Sequence, residues 1–152
     1  MKRFRRLVVI FALIMGLSPA AFATPGQQAL DLYQRFAAAQ NARDVPKVRA
    51  LFLASLDFLW VSDGQSIWGV DDTLKRMALF QDADIWHVEP NLAKAKAITV
   101  DEHTAYLHLP LVLTIGPKAA PEKFGFLVTV LCIETEEGWR IAGLFTTTDK
   151  TL

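Results

Sequence analysis

The sequence predicts an α+β domain in which three N-terminal helices pack on one face of a curved, mostly antiparallel sheet. Two observations support this class. Apolar residues recur at helical spacing in the first half of the chain, whereas the chain from residue 85 onward alternates in the manner of strands. Such a sheet, closed by its helices, encloses a conical cavity that suits a small molecule.

The first 23 residues have the pattern of a secretory signal peptide. Four basic side chains (Lys2, Arg3, Arg5, Arg6) precede an apolar run over 7–17, which ends before the small-residue triplet 21–23. We expect cleavage after Ala23, a single domain over 24–152, and a periplasmic or secreted protein without membrane contact after cleavage. The alternatives are an uncleaved anchor or a buried first helix, although spanning a bilayer takes about 20 residues.

The charged residues also distinguish the leader from the rest of the chain. It carries 16 basic and 16 acidic residues, and removing the four leader residues leaves 12 basic against 16 acidic, a net charge of −4. A mildly acidic domain lacks the basic surface that binds nucleic acid, so we expect no nucleic-acid partner. The single Cys132 excludes an internal disulfide, and we expect it to be a small buried apolar residue.

Three helices are predicted from apolar spacing and capping residues. The first covers 27–43, with an apolar stripe on one side. Asp44 is suited to cap a second, short helix that carries Val48 and Phe52. The third follows Gly69 and ends near Phe80.

Strands are predicted from runs of branched and aromatic residues. A short strand over 56–62 leads through the turn pair Asp63-Gly64 into a return segment over 66–69. An alternating stretch over 85–100 follows. Three long strands complete the meander, at 105–115, 124–135 and 139–148.

The order of these segments resembles the nuclear transport factor 2-like superfamily, in its SnoaL-like, ketosteroid-isomerase-like branch. The resemblance lies in the segments YQRFAAA (33–39), NARD (41–44), IWG (67–69) and GWRIA (138–142). It implies a cone-shaped barrel and frequent homodimers formed through the sheet. The functions that it implies range from isomerases, dehydratases and cyclases to noncatalytic binding modules, and fold alone does not choose among them.

The resemblance to the steroid isomerases does not extend to their catalytic groups. Those enzymes combine an Asp base with an oxyanion hole formed by a Tyr and a protonated Asp. Phe36 stands where the tyrosine is expected, and Ser62 stands near the position of the base.

Asp63 is the best single candidate for a general base, with His87 and His108 as further candidates for proton transfer. A carboxylate desolvated near Trp60 and Trp68 would have a raised pKa, which suits proton abstraction. The alternative is that Asp63 only forms a turn in water. His87 and Glu89 are two residues apart and can point the same way, and we expect His108 to lie across from them in a neighbouring strand if the meander pairs in order. These three residues could bind a metal, but their spacing in the sequence does not favour this, so we expect no metal.

Aromatic residues provide a candidate pocket for an apolar or aromatic small molecule. We assign to it Tyr33, Trp60, Trp68, Trp86 and Phe126. No glycine-rich phosphate loop or Cys-x-x-Cys pair occurs, so we expect no cofactor.

Three functions remain open at this stage. The first is an exported binding or accessory module with an apolar pocket. The second is a cofactor-free isomerase, lyase or cyclase that uses Asp63. The third is a structural or interaction protein whose cone is filled.

Overall fold

A computed structural model describes residues 23–151 of the chain. Residues 1–22 of the predicted leader over 1–23 lie outside the described residues. None of the helices within the described range is long and apolar enough to cross a membrane.

Three α-helices form where the sequence predicts them: α1 (Pro25–Asn41), α2 (Val45–Leu51) and α3 (Val70–Gln81). Thr24 caps α1 by accepting a hydrogen bond from the Gln27 amide. Asp44 caps α2 by accepting one from the Lys47 amide, which confirms its predicted role. The helices therefore begin where local side chains satisfy their free N–H groups.

Seven strands form one sheet within the described residues: β1 (Leu59–Ser62), β2 (Gln65–Trp68), β3 (Ile85–Pro90), β4 (Lys96–Thr99), β5 (Thr104–Gly116), β6 (Glu122–Thr135) and β7 (Gly138–Thr148). The strand order is β2-β1-β7-β6-β5-β3, and β4 also pairs with β5. Among these strands, β1 and β7 pair in parallel, and the other pairs are antiparallel.

The α+β class is confirmed, but the sheet does not close into a barrel. Within the described chain β2 and β3 lie at opposite ends of the strand order and do not pair with each other. Three helices thus pack on a curved but unclosed sheet. The helices do not all precede the strands, because the β1–β2 hairpin separates α2 from α3.

The stretch over 85–100 is not one alternating strand. It divides into β3 and β4, which pair with successive parts of the same edge of β5. Between them, the Asn91 side chain accepts a hydrogen bond from the Lys94 amide and closes a short 3₁₀ turn. This local competition from an Asn side chain interrupts the strand.

The core lies between the helices and one face of the sheet. Leu107, Leu109 and Leu111 alternate along β5 and are buried towards this side, as their spacing predicts. Cys132 on β6 is also fully buried, and desolvation raises the pKa of its thiol to about 12. The prediction that it is a buried apolar residue is confirmed.

The opposite face of the sheet carries several apolar side chains that reach solvent. Ile98, Tyr106 and Phe145 are among them. A homodimer formed through this face stays a prediction.

Candidate ligand-binding site

A cavity of about 150 Å³ lies between the helices and the sheet. We call it the inner cavity. Its wall is mainly apolar and aromatic, and it is formed by Tyr33, Phe36, Gln40, Trp60, Met77, Phe80, Trp86, Val88, Leu111, Leu113, Phe126, Val128, Leu144 and Thr146. Apolar cavities of roughly this volume accommodate one benzene-sized ring.

Secondary structure explains why these side chains meet. Tyr33, Phe36 and Gln40 are three and four residues apart, so they lie on one side of α1. Leu111 and Leu113 on β5 are two apart and point to the same face of the sheet, as do Phe126 and Val128 on β6. The cavity is the space where helix and sheet residues do not reach one another.

Four of the five residues assigned to the pocket from the sequence lie on this wall. They are Tyr33, Trp60, Trp86 and Phe126. Trp68 lies elsewhere. It sits on the edge strand β2, its side chain is 55% exposed, and it borders a different surface depression beside Asp71. The alternation of β2 places Ile67, opposite Trp60, on the inner side and Trp68 on the outer side.

Polar groups on the wall are few, and their partners differ. The indole N–H of Trp60 donates to Thr146 Oγ1 at 3.3 Å. The indole N–H of Trp86 is buried and has no acceptor among the described residues. Gln40 is only 7% exposed and lines the same wall. Since buried polar groups are normally paired, the indole N–H of Trp86 is the group that remains available to a ligand.

Tyr33 also contributes a hydroxyl to the wall. Its side chain is almost completely buried, and desolvation raises the pKa of the phenol far above its usual range. The phenol therefore stays protonated at neutral pH and acts as a neutral hydrogen-bonding group rather than as a base.

A larger depression of about 650 Å³ adjoins the inner cavity. We call it the outer cleft. Phe80, Leu113, Phe126 and Thr146 line both spaces, so these four residues form the boundary between them. Asp63 and Arg76 line the outer cleft and give it charged groups that the inner cavity lacks.

Asp63 lies at the tip of the β1–β2 hairpin. Asp63 and Gly64 both have positive φ angles, 52° and 69°, as the turn predicted from this residue pair requires. Asp63 is exposed, so its carboxylate is not desolvated between Trp60 and Trp68. The geometry thus does not supply the burial on which the predicted base role depends.

The two candidate histidines are not neighbours. In the observed register His87 pairs with Thr114, and His108 pairs with Lys96. The expectation that His108 lies across from His87 is therefore wrong. About six residues of β5 separate the two positions, a distance of about 20 Å along the strand.

Both histidines also lie away from the inner cavity. His87 is exposed between Trp86 and Val88, which face the cavity, so it points to the other side of the sheet. His108 contacts Thr129 Oγ1 through Nδ1 at 2.9 Å. Neither side chain borders the space that a bound ring would occupy.

Sequence reasoning did not identify Gln40 or Arg76 as site residues. A signal for Gln40 exists, because it lies four and seven residues after Phe36 and Tyr33 on the apolar stripe of α1. A weaker signal exists for Arg76, four residues before Phe80 on α3. A polar side chain on an apolar stripe is the pattern to look for.

Comparison with known proteins places the chain in a family. The model of the SnoaL-like domain matches residues 29–144. The chain belongs to the SnoaL-like family. No curated protein matches the sequence.

Solved structures support the same fold. An uncharacterised protein with a cystatin-like fold from Caulobacter vibrioides is 20% identical, with 82% of this chain and 90% of that one covered and a TM-score of 0.69. A nuclear transport factor 2-like superfamily protein from Salmonella enterica is 13% identical (84% and 93% covered, TM-score 0.73). A proposed dehydratase of the NTF2-like family from Streptomyces avermitilis is 16% identical (80% and 94% covered, TM-score 0.69).

These structures show that this SnoaL-like domain shares the fold of nuclear transport factor 2-like and cystatin-like proteins, and a cone-like arrangement of helices and sheet fits them. At such low identity they show the fold and not the reaction.

Proposed function

We propose that this SnoaL-like protein is an exported module that binds a small apolar or aromatic molecule in the inner cavity. The observation that carries the proposal is an aromatic-walled space of about 150 Å³ whose wall includes the buried indole N–H of Trp86, which has no acceptor among the described residues. An apolar wall with few polar groups is the usual composition of a small-molecule site. The ring would occupy the cavity, and Gln40 and Tyr33 would orient it.

Binding is favoured over catalysis because the titratable groups do not converge on the cavity. Asp63, His87 and His108 are on the hairpin tip and on the far side of the sheet. General acid–base catalysis needs such a group within hydrogen-bond reach of the reacting atom. A catalytic role for Asp63 stays a prediction.

A cavity-filling variant tests the proposal. Leu113→Trp places a large ring into the inner cavity, and Val112→Trp places the same ring on the opposite face of β5 as a matched control. We expect calorimetry with indole, toluene and phenol to detect binding to the wild type and to Val112→Trp. We expect at least a tenfold loss of affinity in Leu113→Trp.

Two results would contradict the proposal. One is that none of the three probes binds the wild type, and the other is that both variants bind equally well. Thermal unfolding of each variant verifies that it is folded, since overpacking a core costs about 1–3 kcal/mol. Conversion of a bound probe analogue, followed by chromatography, would instead favour the isomerase or lyase alternative.

Export is the second part of the proposal and rests on the pattern of the first 23 residues. The mass of the protein recovered from the periplasmic fraction or the medium tests it. A chain that starts at Thr24 supports export, and one that retains the first 23 residues contradicts it.

A further inference from the structure

Arg76 is a cation that the fold holds beside the inner cavity without an anionic partner. It lies on α3, half-buried, and its guanidinium carbon is 5.9 Å from the ring centroid of Trp60 and 5.4 Å from that of Phe80. Both rings line the inner cavity. Cation–π attraction to two rings fixes the guanidinium at this boundary.

One N–H group of this guanidinium has no hydrogen-bond partner in the described chain. Its Nε is buried and has no acceptor within residues 23–151. No carboxylate of the described chain lies within 4.0 Å of the guanidinium nitrogens, although Arg49 and Arg140 each form such an ion pair. A buried N–H without an acceptor is costly unless something else supplies one.

The position of Arg76 brings its charge within reach of a ligand that is bound in the inner cavity. Arg76 lines the outer cleft, and the boundary between cleft and cavity consists of residues common to both. A molecule whose ring fills the cavity can therefore extend a short polar arm into the cleft. A planar guanidinium best matches a carboxylate, which it binds through two parallel hydrogen bonds.

We propose that Arg76 forms a carboxylate subsite and that the ligands of this protein are small aromatic or apolar carboxylic acids. This inference rests on the proposed binding function and narrows its ligand class. The ring occupies the inner cavity, and the carboxylate lies in the outer cleft against Arg76. Asp63 lines the same cleft. Its negative charge repels the carboxylate of the ligand, so Asp63 lowers the affinity for the acid.

Matched acids and amides test the subsite, because each pair has nearly the same shape and differs in charge. The probes are benzoate, phenylacetate and phenylpropanoate, each compared with its primary amide by calorimetry. In the wild type we expect the best acid to bind at least tenfold more tightly than its amide. We expect this preference to weaken as salt is added, since part of it is Coulombic.

Three substitutions at two positions in the same cleft identify the group that causes the preference for the acid. Arg76→Gln should abolish the preference for the acid while the affinity for the amide stays within about twofold of the wild type. Arg76→Lys keeps the charge but loses the planar fork, so it should retain a reduced preference. Asp63→Asn, the control for a general change in the cleft, should leave the preference intact or increase it.

The outcomes separate this inference from the proposed function. If amides and acids bind equally, and Arg76→Gln changes neither affinity, the subsite is disproved while binding in the cavity stands. If neither the acids nor the amides bind while indole, toluene or phenol does, only the subsite is disproved; if none of these probes binds, both proposals fail. If Arg76→Gln does not fold, the acid preference of Arg76→Lys and the salt dependence of the wild type test the subsite instead. An unreduced preference in Arg76→Lys and a preference that salt does not weaken would disprove it.

Discussion

The two ends of the helix-covered face of the sheet use aromatic side chains in opposite ways. At the filled end, which we define by Phe36, Phe52 and Phe58, the rings pack against one another with centroids 5.3 and 4.6 Å apart. At the hollow end, Trp60, Trp86 and Phe126 are only partly buried and surround the inner cavity. Phe36 belongs to both ends, since it also lines the cavity.

The difference shows that aromatic content alone does not decide whether rings fill a space or line it. Phe52 and Phe58 come from the segment that follows α2, which passes close to α1 and to the start of β7. The tryptophans come from strands at separate places in the sheet, and their rings leave a gap. The first two predictions test this contrast, and a third tests an exposed pair away from both ends; the expected effects on stability run from the largest to the smallest.

The first prediction compares Phe58→Ala with Phe126→Ala. Phe58 is completely buried, so its removal should lower the free energy of unfolding by about 3–5 kcal/mol. Phe126 already faces open space on one side, so its removal should lower it by only about 1–2 kcal/mol. Urea unfolding followed by circular dichroism measures both values, and equal losses would show that the hollow end is packed as tightly as the filled one.

The second prediction compares two buried or half-buried hydroxyls. Thr146 accepts the hydrogen bond of Trp60, so Thr146→Val should destabilise the protein by about 1 kcal/mol. Thr73 is fully buried on α3, and its Oγ1 has no partner among the described residues. Thr73→Val should therefore be neutral or should stabilise the protein by up to about 1 kcal/mol, because it removes an unpaired polar atom.

Urea unfolding of the two variants under identical conditions checks this difference in sign. Destabilisation by both substitutions to the same extent would mean that the Thr73 hydroxyl has a partner in solution. The wild type and the double variant complete the comparison, and additive changes are expected if the two sites are independent.

The third prediction concerns an exposed pair outside the filled end. His103 Nδ1 lies 2.8 Å from Glu134 Oε2, and this hydrogen bond is the main cause that raises the pKa of His103 above its ordinary value of 6.5. A raised pKa in the folded state stabilises the protein below pH 6.5, and this stabilisation is lost as the pH rises through the raised pKa. The effect on stability should be small, since both groups are exposed.

Titration of the His103 ring resonances by NMR measures this pKa directly. Glu134→Gln should lower it towards 6.5, and Glu136→Gln, which removes a nearby carboxylate that does not contact His103, should leave it unchanged. An unaltered His103 titration in Glu134→Gln would contradict the assignment.

Features set by neighbouring residues could be predicted from the sequence. Asp44 caps α2, Asp63 and Gly64 form the hairpin turn, and Leu107 to Leu111 alternate into the core, each because adjacent residues alone define the geometry. The interruption at Asn91 was missed, since its side chain competes with strand pairing through a single hydrogen bond. Four pocket residues were selected for their aromatic rings, and those rings do lie on the wall of the inner cavity.

The sequence by itself determined the helices, most of the strands, the α+β class and the resemblance that the family model bears out, because periodicity, caps and turns are local properties. Only the tertiary structure decided that Trp68 faces outward, that His87 and His108 are far apart, and that Arg76 meets Trp60 and Phe80 without a carboxylate. Strand register and helix placement bring together residues that are distant in the chain, and those contacts set the burial and charge of the site.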